Sequence, residues 1–423
     1  MNNPPSIKQK HFVILSFGTL GDIYPFINIA LALQDKGHRV TFLCPSVHER
    51  YAKDAKIVCY GLGTDEQYLS VINNPDLWHS RKGVPLVLQS IGYAVEPFLE
   101  TIRKLPKDHE YIVLAHPLTL PATAVARSIG IAMKIVGIYL APSNLRSVHE
   151  PMTIGPLRVP PWIPKNIQRW IWKNIDTRII DPAALPGLNE AREVYGLLPI
   201  ERFTEHMYSI PDLSLTLFPY WFAKQQPDWP YPMFSGDFQL YDPTPNQTFS
   251  AELNSFLAMG DAPIVFTPGT GNRHAARYFR VAMEVCHRLQ KRAIFLTSFH
   301  DQVPQALPDT ILWQKYLSFR KLLPRVAALV HHGGIGTVAE ALYAGVPQLI
   351  VPLAHDQFDN AARVQALGAG SVLIASRLRC NSLFDKLEAL LSSNEIKKQC
   401  KLITEKFVQG GNIAALCKAV ESI

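Results

Sequence analysis

Four short stretches of this chain combine glycines with side chains able to do chemistry. The first is Gly18-Thr19-Leu20-Gly21-Asp22, directly after an apolar run at 12–17. A carboxylate at such a place can cap the helix that follows or face a ligand as a base, and the residues leave both readings open. The pattern is not G-x-G-x-x-G, and the next apolar run closes on Cys44-Pro45 rather than on an acidic residue. A nicotinamide or flavin nucleotide would therefore lack its ribose partner. The second stretch, Thr267-Pro268-Gly269-Thr270-Gly271-Asn272, offers small hydroxyls to a phosphate or sugar, or forms a plain turn. The third, His331-His332-Gly333-Gly334-Ile335-Gly336-Thr337, joins an apolar run at 326–330 to a helix read as opening at Thr337 and stopping at Gly345. A strand, a glycine turn and a helix N-terminus make an anion site, because free N–H groups and the helix dipole converge there. Adjacent side chains leave a strand on opposite faces, which argues against a paired metal site. One histidine then reads as structural, while His332, beside the turn, suits phosphate oxygens. The fourth, His355-Asp356-Gln357, sets acceptors beside donors as a polyhydroxylated sugar requires, although Asp356 alone also reads as a helix cap.

The elements that position these stretches alternate. Apolar runs at 12–17, 39–43, 111–114 and 134–137 interleave with helical patterns at 25–36 and 121–128, the signature of a doubly wound parallel sheet. A proline-rich junction spans 219–262. The alternation then resumes with strands at 264–266, 293–297, 326–330 and 348–351 and helices at 275–291 and 357–367. Three helical pieces fill 382–423. The resulting expectation is an α/β chain of two Rossmann-like domains facing a cleft: an N-terminal domain at 1–235, a C-terminal domain at 236–405 and a closing helix within 406–423. Proline-rich aromatic sequence at 141–199 interrupts the first half. Inside it, 165–180 is amphipathic: Trp162, Trp170 and Trp172 with Lys165, Arg169 and Lys173 either meet a lipid or membrane headgroups, or pack on their own domain.

Composition agrees with a globular two-domain chain. At 423 residues it exceeds one ordinary core, and 48% hydrophobic with 18% charged residues excludes disordered and fibrous classes. A net charge of +7, spread along the chain, permits acidic ligands or an anionic membrane face and carries no nucleic-acid signature. The six cysteines form no C-x-x-C pair and read as free thiols of a reducing, cytoplasmic compartment, at most at the inner face of a membrane. Residues 1–10 are polar and lack a signal-peptide core, and no apolar window is long enough to span a bilayer.

Taken together these residues resemble the GT-B glycosyltransferases of family 1, the superfamily of UDP-glucuronosyl-, macrolide, sterol and vancomycin-type transferases. Gly18-Thr19-Leu20-Gly21-Asp22-Ile23-Tyr24-Pro25 is similar to the bacterial GTxGDxxP opening. His332-Gly333-Gly334-Ile335-Gly336-Thr337, Glu340, Ala344-Gly345-Val346-Pro347 and Asp356-Gln357 resemble the donor signature. Within the family the nearest likeness is to the rhamnolipid rhamnosyltransferase group, through Asp76-Leu77-Trp78, Phe218-Pro219-Tyr220-Trp221-Phe222-Ala223, Gln226-Pro227-Asp228-Trp229-Pro230 and the 354–361 segment.

The resemblance implies an inverting, metal-independent hexosyltransferase with no cofactor beyond its UDP- or dTDP-linked donor. It implies that Asp22 is the base for the acceptor hydroxyl and that His332, the turn Gly333-Gly334-Gly336 and Thr337 hold the diphosphate. Gly18, Thr19 and Thr270 lie near the phosphates, Asp356 and Gln357 grip the sugar, and Gln314 lies where the nucleobase packs. The acceptor would be an apolar alcohol, such as a hydroxy-fatty acid, sterol or polyketide, lined by 69–105 and 141–199. Two departures matter. Asp22 stands where many members carry histidine. Glu340, where UDP-sugar enzymes contact the ribose, departs from the rhamnosyltransferase pattern and tilts the donor towards UDP, unless it is a solvent-facing helix residue. Two rival expectations are a GT-B nucleotide-sugar epimerase and a non-catalytic nucleotide-sugar-binding partner protein. No nucleic acid is implied, and the oligomeric state is open.

Overall fold

A computed structural model describes residues 9–107, 110–407 and 412–423. Residues 1–8, most of the polar stretch read as lacking a signal peptide, and residues 408–411, within the closing segment, lie outside them.

The apolar runs become two all-parallel sheets. The first contains β1 (His11–Leu15), β2 (Arg39–Pro45), β3 (Val58–Leu62), β4 (Tyr111–Ala115), β5 (Met133–Tyr139), β6 (Leu213–Thr216) and β7 (Met233–Ser235), in the order β3-β2-β1-β4-β5-β6-β7. The second contains β8 (Ile264–Thr267), β9 (Ala293–Leu296), β10 (Ile311–Gln314), β11 (Ala328–His331), β12 (Gln348–Ile350) and β13 (Gly370–Val372), in the order β10-β9-β8-β11-β12-β13. Central strands covered on both faces are apolar throughout rather than alternating, and every residue of β1, β4, β8 and β11 is buried. Each sheet reverses direction beside its first strand, between β1 and β4 and between β8 and β11. Ligands bind open parallel sheets at such switch points, beyond the carboxyl ends of the strands. The glycine stretches after β1, β8 and β11 sit there by topology.

Six helices bear on the site: α1 (Leu20–Asp35), α2 (Lys165–Ile175), α3 (Asp181–Glu193), α4 (Ile335–Tyr343), α5 (Gln357–Ala366) and α6 (Ile413–Glu421). α1 starts five residues before the expected Pro25. Proline fits the first turn of a helix, which pointed to Pro25 as the start, yet the chain already coils from Leu20 with Thr19 as N-cap. Asp22 is therefore a residue of the first helical turn rather than of a loop. α4 likewise opens at Ile335 after an N-cap Gly334, two residues before Thr337. Helix 165–180 runs on: α2 passes through a wider turn at Asp176–Ile180 into α3.

The two sheets share core packing. Ile23, Phe26 and Ile27 of α1 belong to one buried cluster with Ile335, Val338 and Leu342 of α4 and with Leu416 and Val420 of α6. Complete burial of such side chains contributes about 1.5–3 kcal/mol each. α6 lies along α1, and Glu421 accepts hydrogen bonds from Lys36 Nζ at 2.9 Å and pairs with His38 Nε2 at 3.0 Å. A second link is the pair of Arg363 on α5 with Glu150, at 2.9 Å and nearly out of solvent. All six cysteines are free thiols.

Candidate active site

Between the sheets lies one cavity of about 950 Å³. Its polar half is built by the ends of β8, β9 and β11 and by α4 and α5. Its apolar half is lined from 71–94 and 139–180, including Trp78, Val84, Leu88, Trp172 and Ile175. Most of the chemistry-bearing residues singled out in the sequence converge on this space.

Asp22 is both cap and cavity residue. Its Oδ2 accepts from the Thr19 N–H at 2.8 Å and from the Thr19 hydroxyl at 3.2 Å, which satisfies the start of α1. Gly18, at φ +110°, makes this possible: a Cβ there would lie 2.4 Å from Asp22 Oδ2. The part Gly18 plays is thus to leave room for the carboxylate. Asp22 keeps partial contact with the cavity, but the walls desolvate it and push its pKa up to about 6, against the pull of the Thr19 hydrogen bonds.

Opposite stands Asp356, whose carboxylate is raised to about 7, first by burial and then by the charge of Asp22. Two carboxylates facing one cavity cannot both ionise freely, so the charge of one holds the proton on the other. Asp356 occupies the N-cap place of α5 without capping it. Its Oδ2 instead accepts from Asn360 Nδ2 at 2.7 Å, one turn on. The same amide nitrogen donates to Gly333 O at 3.0 Å, so Asn360 ties the sugar-side carboxylate to the glycine turn. Gln357 uses its Oε1 on the Leu353 and Ala354 N–H groups, at 2.8 and 3.1 Å, which leaves its Nε2 as the donor for a ligand. His355 holds φ +55° and sets its ring edge-on to Trp78 of the other domain, 5.9 Å between centroids.

The two histidines separate as their strand geometry requires. His331 is structural: its Nδ1 accepts from the Gly333 N–H at 3.2 Å, so Nε2–H donates to Gln348 Oε1 at 3.0 Å. His332 faces the cavity with a buried Nδ1 lacking a partner, and desolvation lowers its pKa to about 4. A neutral imidazole keeps one N–H to donate. The N–H groups of Ile335, Gly336 and Thr337 are free of helical partners and open beside it. The N-termini of α1 and α4 meet here, since a Cβ on Gly336 would lie 3.8 Å from Gly21 O.

Two placements correct the sequence reading, and a third decides between its alternatives for Glu340. Gly333 does not line the cavity; at φ +97° it turns the chain where a Cβ would lie 2.8 Å from Ile350. Gln314 also lies outside, because it is paired within β10 against Leu296, and the chain enters the cavity only at Lys315, Tyr316 and Leu317. Glu340 is no solvent-facing residue. It lines the cavity with 13% of its side chain exposed, Arg320 Nε lies 3.0 Å from its Oε2, and burial raises its pKa to about 7. Gly18, Thr19, Thr270, Gly334, Gly336 and Thr337 line the cavity as expected; Thr297, Tyr316 and Arg320 line it with no motif to mark them, and Asn360, inside the 354–361 segment, takes a role in the site that the motif does not reveal. Among the described residues no cluster of three His, Cys, Asp or Glu side chains is arranged to hold a metal.

Comparison with known proteins agrees with this architecture. The model of the erythromycin biosynthesis protein CIII-like C-terminal domain matches residues 280–410, and that of the glycosyltransferase family 28 N-terminal domain matches residues 12–109. The chain is 24% identical to O-mycaminosyltylonolide 6-deoxyallosyltransferase of Streptomyces fradiae over 385 residues, 85% of this chain and 84% of that one. It is 24% identical to a sterol 3-beta-glucosyltransferase of Arabidopsis thaliana over 434 residues, 98% of this chain and 68% of that one. The solved structure of the spinosyn rhamnosyltransferase complexed with thymidine diphosphate superposes with a TM-score of 0.66 at 17% identity, covering 98% of this chain and 100% of that one. With a glycosyltransferase family 28 model on the N-terminal half, an erythromycin CIII-like model on the C-terminal half and two facing Rossmann-like sheets, the chain has the GT-B fold and is a glycosyltransferase.

Proposed function

We propose that this enzyme is an inverting, metal-independent hexosyltransferase acting on a hydroxyl of an apolar acceptor: a hydroxylated lipid, a sterol or a polyketide. One observation carries the reading. A base-competent carboxylate from one domain and an anion-binding helix N-terminus from the other open onto the same cavity, whose remaining wall is apolar. The diphosphate lies on the α4 N-terminus with His332 donating, so the departing charge is met by oriented N–H groups. Asp356 and Gln357 hold the sugar. The acceptor oxygen attacks C1 on the face opposite the diphosphate, the C1–O bond to the β-phosphate breaks, and the acceptor proton passes to Asp22. Since Thr19 occupies Oδ2, Oδ1 is the oxygen that takes it.

The donor is UDP- or dTDP-linked. Glu340 beside the cavity favours a ribose, and thymidine diphosphate in a structural neighbour keeps dTDP-sugars, dTDP-rhamnose among them, in the same reading. The testing experiment is a thermal-shift screen of nucleotide sugars followed by nucleoside diphosphate release with candidate acceptors. A ligand at a hundredfold excess over its Kd adds about 2.7 kcal/mol to stability. Release that depends on both donor and acceptor is the expected result. Turnover of the donor without an acceptor would point to an epimerase, and a shift with no release under any acceptor to a non-catalytic nucleotide-sugar-binding partner protein.

A further inference from the structure

The segment 151–180 does two things at once. Its inner side belongs to the cavity wall through Trp172, Ile175 and Ile180. Its outer side presents Leu157 (63% exposed), Trp162 (76%), Ile167 (44%), Trp170 (64%) and Ile179 (43%) to solvent. Exposed single apolar residues need no explanation, but five within one short segment, two of them tryptophan, form a patch. Leu157 and Ile179 belong to both sides, so the patch is continuous with the mouth of the cavity.

The charges on this surface share one sign. Arg158, Lys165, Arg169, Lys173 and Arg178 are all exposed, and none is paired with a carboxylate among the described residues. The one acidic residue in the segment, Asp176, is drawn inward against Arg146. On α2 the helical repeat separates the two chemistries. Lys165, Arg169 and Lys173 are four residues apart and form one stripe, and Ile167 and Trp170 form the next. Gln168 is the buried residue of α2 and anchors the helix by donating to Ile163 O at 2.8 Å.

We propose that this face docks on an anionic lipid bilayer, with the cavity mouth against the headgroups, and that the acceptor enters from the membrane side. Tryptophans beside lysines and arginines fit the boundary between headgroups and acyl chains, where an indole is half solvated and a cation meets lipid phosphate. The charge pattern argues against a second copy of this chain on the same face, because a two-fold contact would set five cations against five. Docking itself does not depend on the proposed acceptor or on Asp22, and vesicle binding is measured without turnover, so the two readings fail separately.

The test is sedimentation of the full chain with vesicles of phosphatidylcholine alone or mixed with phosphatidylglycerol. Binding to the mixed vesicles that weakens with added salt is expected. The triple variant Lys165→Gln, Arg169→Gln, Lys173→Gln should lower partition onto them about a hundredfold, from the usual contribution of each Lys or Arg at an anionic surface. Trp162→Ala with Trp170→Ala should weaken the binding that survives in salt. None of these side chains lines the cavity, so thermal stability and turnover of a soluble acceptor should be unchanged. Equal binding to neutral and anionic vesicles, or full binding by the triple variant, overturns the proposal. So does a dimer in light scattering that the tryptophan variant dissolves while vesicles bind neither form.

Discussion

Replacing Asp22 by Asn separates its two duties. The amide oxygen can still accept from the Thr19 N–H, so the first turn of α1 should survive. What disappears is the ionisable oxygen. Wild-type Asp22 carries a pKa of about 6 against an ordinary 3.8, because burial outweighs its hydrogen bonds. That is a shift of roughly two units, which at about 1.4 kcal/mol per unit costs the folded protein about 3 kcal/mol at neutral pH. The folded state retains a proton that the unfolded state has already released. The contribution is therefore fully favourable below about pH 4 and is lost as pH rises through about 6. A neutral amide carries no such cost, so the Asp22→Asn variant should be as stable as the wild type at pH 7.5, or more stable by up to about 3 kcal/mol. Activity should move the other way. Loss of a general base lowers kcat about 10²–10⁴-fold, with little change in donor KM. The assay is the initial rate of nucleoside diphosphate release from pH 5 to 8, alongside thermal or urea unfolding. Wild-type kcat/KM should rise through an acid limb near pH 6, and the variant's residual rate should lack that limb. A loss below tenfold, or an acid limb that persists in the variant, would refute the base assignment. A loss of rate matched by a collapse in stability would leave the cap as the whole role of Asp22.

Three further outcomes follow from the same geometry. Glu340→Gln should weaken UDP binding about tenfold or more while changing dTDP binding less, since a charged acceptor on a ribose hydroxyl contributes about 1.5–3 kcal/mol; isothermal titration with both nucleotides checks this, and equal losses would remove Glu340 from the ribose. Asn360→Ala frees Gly333 O and Asp356 together, so unfolding in urea should show a loss of about 1–3 kcal/mol, and the titration of Asp356, seen in the pH–rate profile, should move above about 7. An unchanged profile would place the sugar contact elsewhere. Saturating chelator should leave turnover intact, since helix N–H groups and His332 meet the leaving charge; activity lost to chelator and restored by a divalent ion would defeat that account.

Much of the fold was legible locally because buried parallel strands must be apolar along their whole length, and a glycine turn after such a strand opens a helix. Hence β1, β8 and β11, with their following loops, could be read from short windows. Helix starts were less legible. Pro25 and Thr337 carry start signals, but Thr19 and Gly334 begin the helices, because a cap is decided by which N–H groups lack partners in three dimensions. Gln314 is the last residue of β10, paired with Leu296, and only the packing of the two domains decides that the cavity is lined from Lys315 onward instead.

The residues themselves determined that a carboxylate, a pair of histidines and a glycine turn were present at spacings suited to diphosphate and sugar. They did not determine which histidine was structural, that Arg320 would lie against Glu340, or that Asn360 would bind Gly333 and Asp356 together. The raised pKa values of Asp22 and Asp356 belong to tertiary structure altogether. Each carboxylate is ordinary on its own segment, and only closure of two domains takes both out of water and sets one charge against the other.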